Sequence, residues 1–454
     1  MEREVEDTIE QTVLRNITPS IAENEAIESA IDGVIADVEK YVRGTFPSVG
    51  AVDPVVVGSV AKGTHLKDPD VDIFMRFPVS VTRDQLEKMG IAIGKTVLQD
   101  PVLKYAEHPY VRGRRGRIAI DLVPCYRIAD SSKKMSAVDR TPFHTVYVNA
   151  RASAHQKNEI RLLKRFFKGT SVYGADARIR GFSGYLCELL VLSLGDFRSV
   201  VTAMSGWSPG TTIIPPDASV GKKLGDADSC LIVPDPVDSD RNVAAAMDRN
   251  SFATSVIAAR HYLEKPSITF FHPAVRKPMS LSQLKRIHES SGHGLLLVIL
   301  RRPDITDDNL YPQLVKAEKN IRALLEKYGF DVNRSTHMAL DNLRILFELK
   351  NGSHPSYWLR DGPYGWTPTA GSFISKHRKL GGGISIVDGM LYSEEKREFV
   401  RPDDLIRAKL MELSTGADID RFKSESIIVA GEGVLVEENR GILSELLAPS
   451  FPWE

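Results

Sequence analysis

Residues 70–77 read Asp-Val-Asp-Ile-Phe-Met-Arg-Phe. The run reads as a β-strand, in which side chains two apart share a face. Asp70 and Asp72 therefore aim two carboxylates at one spot, while Val71 and Ile73 anchor the other face. Upstream, the apolar run Val55-Val56-Val57 ends in Gly58-Ser59, twelve residues before Asp70. Downstream, a third acid, Asp121, lies inside Ile118-Ala119-Ile120-Asp121-Leu122-Val123. A charge in a near-continuous apolar strand is costly unless something pairs with it.

Three carboxylates converging on one point repel each other, and a divalent cation resolves the repulsion. Hard oxygen donors select Mg²⁺, which keeps several waters and also binds substrate phosphates. An isolated Asp-x-Asp at a strand edge is ordinarily a solvated face. The order strand, Gly-Ser, short helical turn, acid pair, then a later strand with one acid is much rarer. It resembles the nucleotidyltransferase superfamily that includes DNA polymerase beta. That resemblance implies that Gly58-Ser59 holds a triphosphate and that Asp70, Asp72 and Asp121 hold two metal ions.

A chain of 454 residues is long enough for about three domains,. Lys+Arg and Asp+Glu balance at 59 each, so global charge does not announce a nucleic-acid partner. Cys125, Cys187 and Cys230 lie in apolar segments without metal-ligand spacing, as expected of buried thiols in a reducing compartment,. The apolar run Leu295–Leu300 is far too short to span a bilayer,. The acidic opening, residues 1–7, lacks a signal-peptide core, and a cytoplasmic protein is expected,.

Along the chain, Ile27, Ile31, Val34, Ile35, Val38 and Val42 form a helical stripe over residues 20–44,. Strands are expected at 53–57 and 71–77, and a helix over 83–99. Tyr105–Val111 and Arg117–Cys125 read as a hairpin whose tip, Arg112-Gly113-Arg114-Arg115-Gly116, either solubilises an edge or clamps phosphate,. From 146 to 264 the pattern is mainly helical. It includes a cationic helix over 155–168 and a buried one over 183–195, where Glu188 reads as an internal hydrogen-bond partner. Pro215–Asp235 reads as a loop with a short strand.

Beyond 265, strand Leu295–Leu300, helix Gln313–Tyr328 and strand Leu343–Leu349 suggest a small α+β sandwich of the kind found in RNA-recognition modules,. Residues 351–392 yield no readable element, and Pro402–Leu413 reads as a helix. The expected fold class is α+β. It comprises a polymerase-beta-like catalytic domain (1–145), a mainly helical nucleotide-binding domain (146–264) and a C-terminal, tail-containing RNA-binding region (265–454).

Longer words narrow the resemblance. Residues 103–126 contain Leu-Lys-Tyr-Ala-Glu-His-Pro-Tyr-Val and Ile-Asp-Leu-Val-Pro-Cys-Tyr. Residues 136–144 read Ser-Ala-Val-Asp-Arg-Thr-Pro-Phe-His, and 180–190 Arg-Gly-Phe-Ser-Gly-Tyr-Leu-Cys-Glu-Leu-Leu. Residues 235–245 read Asp-Pro-Val-Asp-Ser-Asp-Arg-Asn-Val-Ala-Ala, and 302–314 Arg-Pro-Asp-Ile-Thr-Asp-Asp-Asn-Leu-Tyr-Pro-Gln-Leu. In this order they resemble the class I, archaeal-type CCA-adding enzymes (tRNA nucleotidyltransferases), from the N-terminal helices to about residue 350 and weakly beyond.

The resemblance implies template-free addition of CCA to the 3′ end of tRNA from CTP and ATP, with release of pyrophosphate. By the same resemblance Asp70, Asp72 and Asp121 are the metal-binding acids. Ser59 and Lys62 lie near the triphosphate. His144, Lys164 and Tyr173 line the nucleotide pocket and its phosphates, and Arg241 reads the base edge. Some relatives carry Glu at the first acid and Arg at position 62, changes that keep the charge.

The nearest alternative is another template-free nucleotidyltransferase, a poly(A) polymerase or an oligoadenylate synthetase. An RNA-binding protein with a dead transferase domain is a different class, and the intact acid triad with Ser59 argues against it. Between residues 260 and 302, eight basic side chains face only Glu264 and Glu289. This segment is expected to meet the phosphates of the tRNA acceptor and T stems. The sequence leaves the oligomeric state open, a homodimer among the alternatives.

Overall fold

The computed structural model describes residues 8–47, 52–105, 109–221, 224–225, 228–379 and 383–454. The acidic opening and the Ala106-Glu107-His108 part of the family word lie outside the described residues. The chain forms two units, one reaching to Val275 and joined by Phe451–Glu454, the other running from Arg276 to Ser450.

In the first unit, α1 (Ile9–Ile17) and α2 (Ile21–Thr45) each start at a capping box, on Thr8 and Ser20,. Then come β1 (Asp53–Val57), α3 (Gly58–Lys62), β2 (Asp70–Phe77), α4 (Arg83–Val97), β3 (Gln99–Tyr105), β4 (Pro109–Arg115) and β5 (Ile118–Tyr126). The five strands make one sheet in the order β1-β2-β5-β4-β3. Only β2 and β5 pair in parallel; the other neighbours are antiparallel.

One face is apolar and covered by helices. Val71, Ile73, Met75, Phe77, Ile120 and Leu122 pack against the stripe of α2 and against Leu86, Met89 and Ile93 of α4. Gly94 brings α4 close to the sheet, since a Cβ there would sit 2.5 Å from Val111. The other face carries the acids, above a small cluster of Val57, Phe74, Val123 and Cys125.

The expected hairpin is divided differently. Tyr105 ends β3 and Val111 lies within β4, so the basic residues are not a tip; the turn is only Gly116-Arg117. Arg112 sits inside β4, opposite Asp121 of β5. Arg115 reaches Asp37 of α2 at 2.7 Å. Charges that look solvated in sequence are here paired with carboxylates distant along the chain.

The rest of this unit is helical: α5 (Thr141–Arg151), α6 (Ala154–Gly169), α7 (Gly184–Leu194), α8 (Phe197–Met204) and α9 (Arg249–Glu264). Two short strand pairs interrupt it. They are β6 (Thr211–Thr212) with β7 (Leu231–Ile232), and β8 (Pro234–Asp235) with β9 (Asp238–Asn242). The core gathers Phe166, Phe197, Tyr262, Phe270 and Phe271, and Trp453 stacks on Phe270.

The second unit contains α10 (Leu281–Ser291), β10 (Gly294–Arg301), α11 (Asp307–Lys327), β11 (Val332–Ala339) and β12 (Asn342–Leu349). It continues with β13 (Tyr357–Tyr364), α12 (Ala370–Lys379), β14 (Ile384–Val387), β15 (Met390–Lys396), α13 (Pro402–Lys409), β16 (Ile427–Ala430) and α14 (Arg440–Leu447). A four-stranded antiparallel sheet, β11-β12-β10-β16, has α11 and α13 on one face and α10 and α14 on the other. Helices on both faces explain why β10 is apolar without alternation. The edge strand β11, which pairs with β12, escapes sequence reading because it is polar: Asn333, Arg334, Ser335, Thr336, His337. Residues 351–392, opaque in sequence, contribute β13, α12, β14 and part of β15, in a separate sheet ordered β13-β15-β14.

Of the eight basic residues between 260 and 302, several are engaged inside the protein. Arg260 donates to the Ser205 carbonyl and Arg276 to that of Ala448. Arg301 pairs with Glu425 and Arg302 with Asp307. Lys285 and Arg286 stay exposed on α10.

Candidate active site

Sheet register builds the acid face. Asp72 of β2 lies opposite Asp121 of β5, which lies opposite Arg112 of β4. Directly paired residues in neighbouring strands point to the same side, so the three side chains form one row. Asp70 stands two residues from Asp72 on that face. Val57, opposite Asp72 on β1, leads into Gly58, whose φ is +70°. A Cβ at Gly58 would fall 2.2 Å from Asp72 Oδ2, so position 58 requires glycine for both space and conformation,. The turn carrying Ser59 is thereby laid directly against the acids.

The row is electrostatically under-compensated. Burial, then Asp121 and Asp70, push the Asp72 carboxyl up to about 7 despite Lys62 and Arg112. Burial raises Asp121 to about 6, with Arg112 opposing and Asp70 adding to the rise. Asp121 Oδ1 is buried without a hydrogen bond, and its closest cation, Arg112 Nε, is 3.7 Å away. Asp70 is turned onto Arg112. Among the described residues no three His, Cys, Asp or Glu side chains are grouped to hold a metal ion. The donor chemistry nonetheless suits a hard divalent cation: carboxylates on one face, one with an orphaned oxygen, and raised proton affinities that a cation would replace.

A saturated carboxylate stands next to the row. Glu188 of α7 accepts from Lys62 Nζ at 2.7 Å, from Thr64 Oγ1 at 2.7 Å and from Lys164 Nζ at 2.9 Å. Burial alone would raise its pKa, but Lys164 and Lys62 pull it to about 2. Tyr173 is near enough to feel Glu188 and Asp72. Burial raises its phenol, and Lys168 Nζ lies 5.2 Å above its ring.

A second saturated carboxylate is Asp235, fully buried on β8. Its Oδ2 meets His144 Nε2 at 3.0 Å and Arg241 Nη1 at 2.8 Å. Its Oδ1 accepts from the Tyr185 hydroxyl and the Val237 amide, each at 3.1 Å. Burial opposes ionisation, but His144 and Arg241 hold the pKa at about 2. An ionised carboxylate can only accept, so His144 donates from Nε2. Tyr185 stacks on His144 with ring centroids 4.0 Å apart and lies 5.1 Å from Lys62 Nζ. Arg241 then opens onto a cleft of about 520 Å³ lined also by Lys134, Arg140, Ser183, Asp240 and Asn242.

The structure thus brings all nine expected residues into one connected region. Asp70, Asp72, Asp121 and Ser59 sit on or beside the acid row. Lys62 and Lys164 donate to Glu188, with Tyr173 near enough to feel its charge, while His144 and Arg241 share Asp235. Sequence reading missed Asp235, Tyr185, Thr64 and the strand position of Arg112. An available signal was Asp235 between two prolines in an apolar stretch, Leu231 to Val237.

The acid row beside a Gly-Ser turn on a mixed sheet defines a polymerase-beta-like nucleotidyltransferase. Residues 36–144 match the nucleotidyltransferase domain family, and residues 158–272 the family described as tRNA nucleotidyltransferase, second domain. Residues 291–431 match the CCA-adding enzyme C-terminal domain. The CCA-adding enzyme of Thermoplasma volcanium is 37% identical over 82% of this chain and 82% of its own length. That of Archaeoglobus fulgidus is 36% identical over 85% of this chain and 89% of its own, and that of Methanosarcina barkeri 33% identical over 96% and 95%. The chain belongs to the CCA-adding enzyme family.

Proposed function

We propose that the chain adds C, C and A to the 3′ end of tRNA from CTP and ATP without a template, releasing pyrophosphate. The observation that carries this reading is the row of Asp70, Asp72 and Asp121 set against Gly58-Ser59, in a chain whose family membership extends through both units. Asp70, Asp72 and Asp121 would hold divalent cations, Mg²⁺ by the hardness of their oxygens. Bound there, the cations supply charge neutralisation for the attacking 3′-hydroxyl and the departing pyrophosphate.

The chain's own residues bind and orient. Ser59 presents its backbone and hydroxyl to the triphosphate, and Lys62 its ammonium. Lys164 and Tyr173 shape the wall behind them. His144 and Arg241, fixed through Asp235, face the base. A guanidinium fork suits the acceptors of cytosine. Little covalent work falls to the protein, so positioning and charge carry the rate.

In this reading residues 1–145 perform catalysis, 146–264 hold the nucleotide and 265–454 hold the tRNA. Lys285 and Arg286 meet phosphates of the acceptor and T stems. Three buried free thiols favour a reducing compartment, the cytoplasm,. Among the described residues no helix is long and apolar enough to cross a membrane.

The test is incubation with tRNA lacking CCA, labelled CTP and ATP, and Mg²⁺, followed by sequencing of the 3′ end. Three added nucleotides in the order C, C, A are expected. A run of A would instead mark a poly(A) polymerase.

A further inference from the structure

Glu188 lies in the apolar middle of α7, flanked by Leu186, Cys187, Leu189 and Leu190, all fully buried. A carboxylate there must be there for its partners. Those partners come from two separate segments: Lys62 ends α3 and Thr64 follows two residues later, while Lys164 is in mid-α6. Lys62, Thr64, Lys164 and Glu188 are 4%, 0%, 2% and 1% exposed. Two lysines on one glutamate leave the cluster with a net positive charge, withdrawn from water.

Counting protons separates the two lysines. An ammonium has three N–H donors and no acceptor. Lys164 Nζ has three acceptors within the protein: Glu188 Oε1 at 2.9 Å, Thr64 Oγ1 at 2.9 Å and the Thr64 carbonyl at 3.3 Å. Lys62 Nζ has one, Glu188 Oε2 at 2.7 Å, with the Tyr185 ring 5.1 Å away. Two N–H groups of Lys62 therefore have no hydrogen-bond acceptor among the described residues. Lys62 is also the lysine that acts on the charge of Asp72. Lys164 and Thr64 hold Glu188, and Glu188 holds Lys62.

We propose that Glu188 is a positioning residue: anchored by Lys164 and Thr64, it fixes Lys62 so that its two remaining N–H groups face the phosphates of the incoming nucleoside triphosphate. The proposal rests on the nucleotidyltransferase reading above, and deepens it by assigning Lys62 and Lys164 unequal roles. Since both nucleotides carry the same triphosphate, the device serves CTP and ATP alike and is blind to the base.

The experiment is a double-mutant cycle read on KM for CTP and ATP, with tRNA affinity and thermal melts alongside. Lys62→Met is expected to raise both KM values about tenfold or more and to leave tRNA affinity within about twofold. Glu188→Gln keeps the side-chain shape and is expected to raise the same two KM values. The double variant should be no worse than the worse single one, because Glu188 acts through Lys62. A purely structural role would lower the melting temperature but leave the effects on KM multiplicative. Thr64→Val, which removes one support without changing charge, should move KM in the same direction by less. It serves as the readout if Glu188→Gln does not fold. If Lys62→Met raises KM while the other variants leave it unchanged, or if the effects multiply, the positioning role is overturned and the transferase reading stands. If Lys62→Met leaves KM unchanged while CCA is still made, the phosphate role of Lys62 falls, and this proposal with it.

Discussion

Asp72 and Glu188 are both withdrawn from water in the same unit, yet their carboxyls titrate at opposite ends of the range, about 7 and about 2. Burial raises both. The difference lies in the neighbours. Asp72 has Asp121 and Asp70 beside it, and Glu188 has two ammoniums and a hydroxyl. Asp121 and Asp235 repeat the contrast, at about 6 and about 2. The acid row leaves Asp121 Oδ1 without a hydrogen-bond donor, whereas both oxygens of the two carboxylate hubs, Glu188 and Asp235, accept hydrogen bonds. Crowded like charges store a binding capacity for cations, and saturated charges store geometry.

The largest break in this comparison is Asp121→Asn. Loss of one negative donor from the row should cut nucleotide transfer by orders of magnitude. Thermal stability should hold or rise, because a like-charge repulsion is relieved. Steady-state rates beside a melting curve check it. Near-wild-type transfer by a folded variant would sink the assignment of the row.

The hubs should answer to acid in the opposite way. Asp235 is held below its ordinary 3.8, so the unfolded chain binds more protons in that interval and stability rises with pH there,. The contribution is complete above about 4, and it is lost as pH falls toward about 2. It is on the order of 2 kcal/mol. Urea midpoints of the wild type and Asp235→Asn should therefore converge as the solution is acidified. A gap that persists unchanged into acid would show that Asp235 is not held ionised by His144 and Arg241.

Arg241→Ala tests the cleft side of the Asp235 hub. It should lower discrimination against UTP and GTP by roughly 1–3 kcal/mol while leaving tRNA affinity alone. Misincorporation assays run beside tRNA binding decide it. If selectivity survives and only tRNA affinity falls, Arg241 is a backbone contact.

The smallest effect concerns the second unit. Lys285 and Arg286 are exposed on α10, unlike Arg301 and Arg302 of the same basic stretch, which face carboxylates. Replacing both with Ala should weaken binding to all tRNAs alike. It should also flatten the slope of log affinity against log salt by roughly 0.7–0.9 per phosphate contact, with nucleotide choice unaltered. An unchanged slope would return α10 to ordinary surface.

Local pattern was enough to read some of this. The strand carrying Asp70 and Asp72, the stripe of α2, the apolar β10 and the acid inside β5 each declare themselves, because alternation and periodicity are local properties of the chain. The family words placed nine candidate site residues in sequence, but not in space. Only tertiary structure decided that Asp72 and Asp121 share a register, that Arg112 is a strand residue facing them and not a hairpin tip, and that β11 is a polar edge. It alone placed Lys62, Lys164 and Thr64 on Glu188, and His144, Tyr185 and Arg241 on Asp235. These pairings join residues up to 126 positions apart. A charge written in sequence looks the same whether water or a distant counter-charge will meet it. Which of the two it meets is fixed when the sheet and helices close, and in this chain that decides which carboxylates crowd together and which are paired with cations.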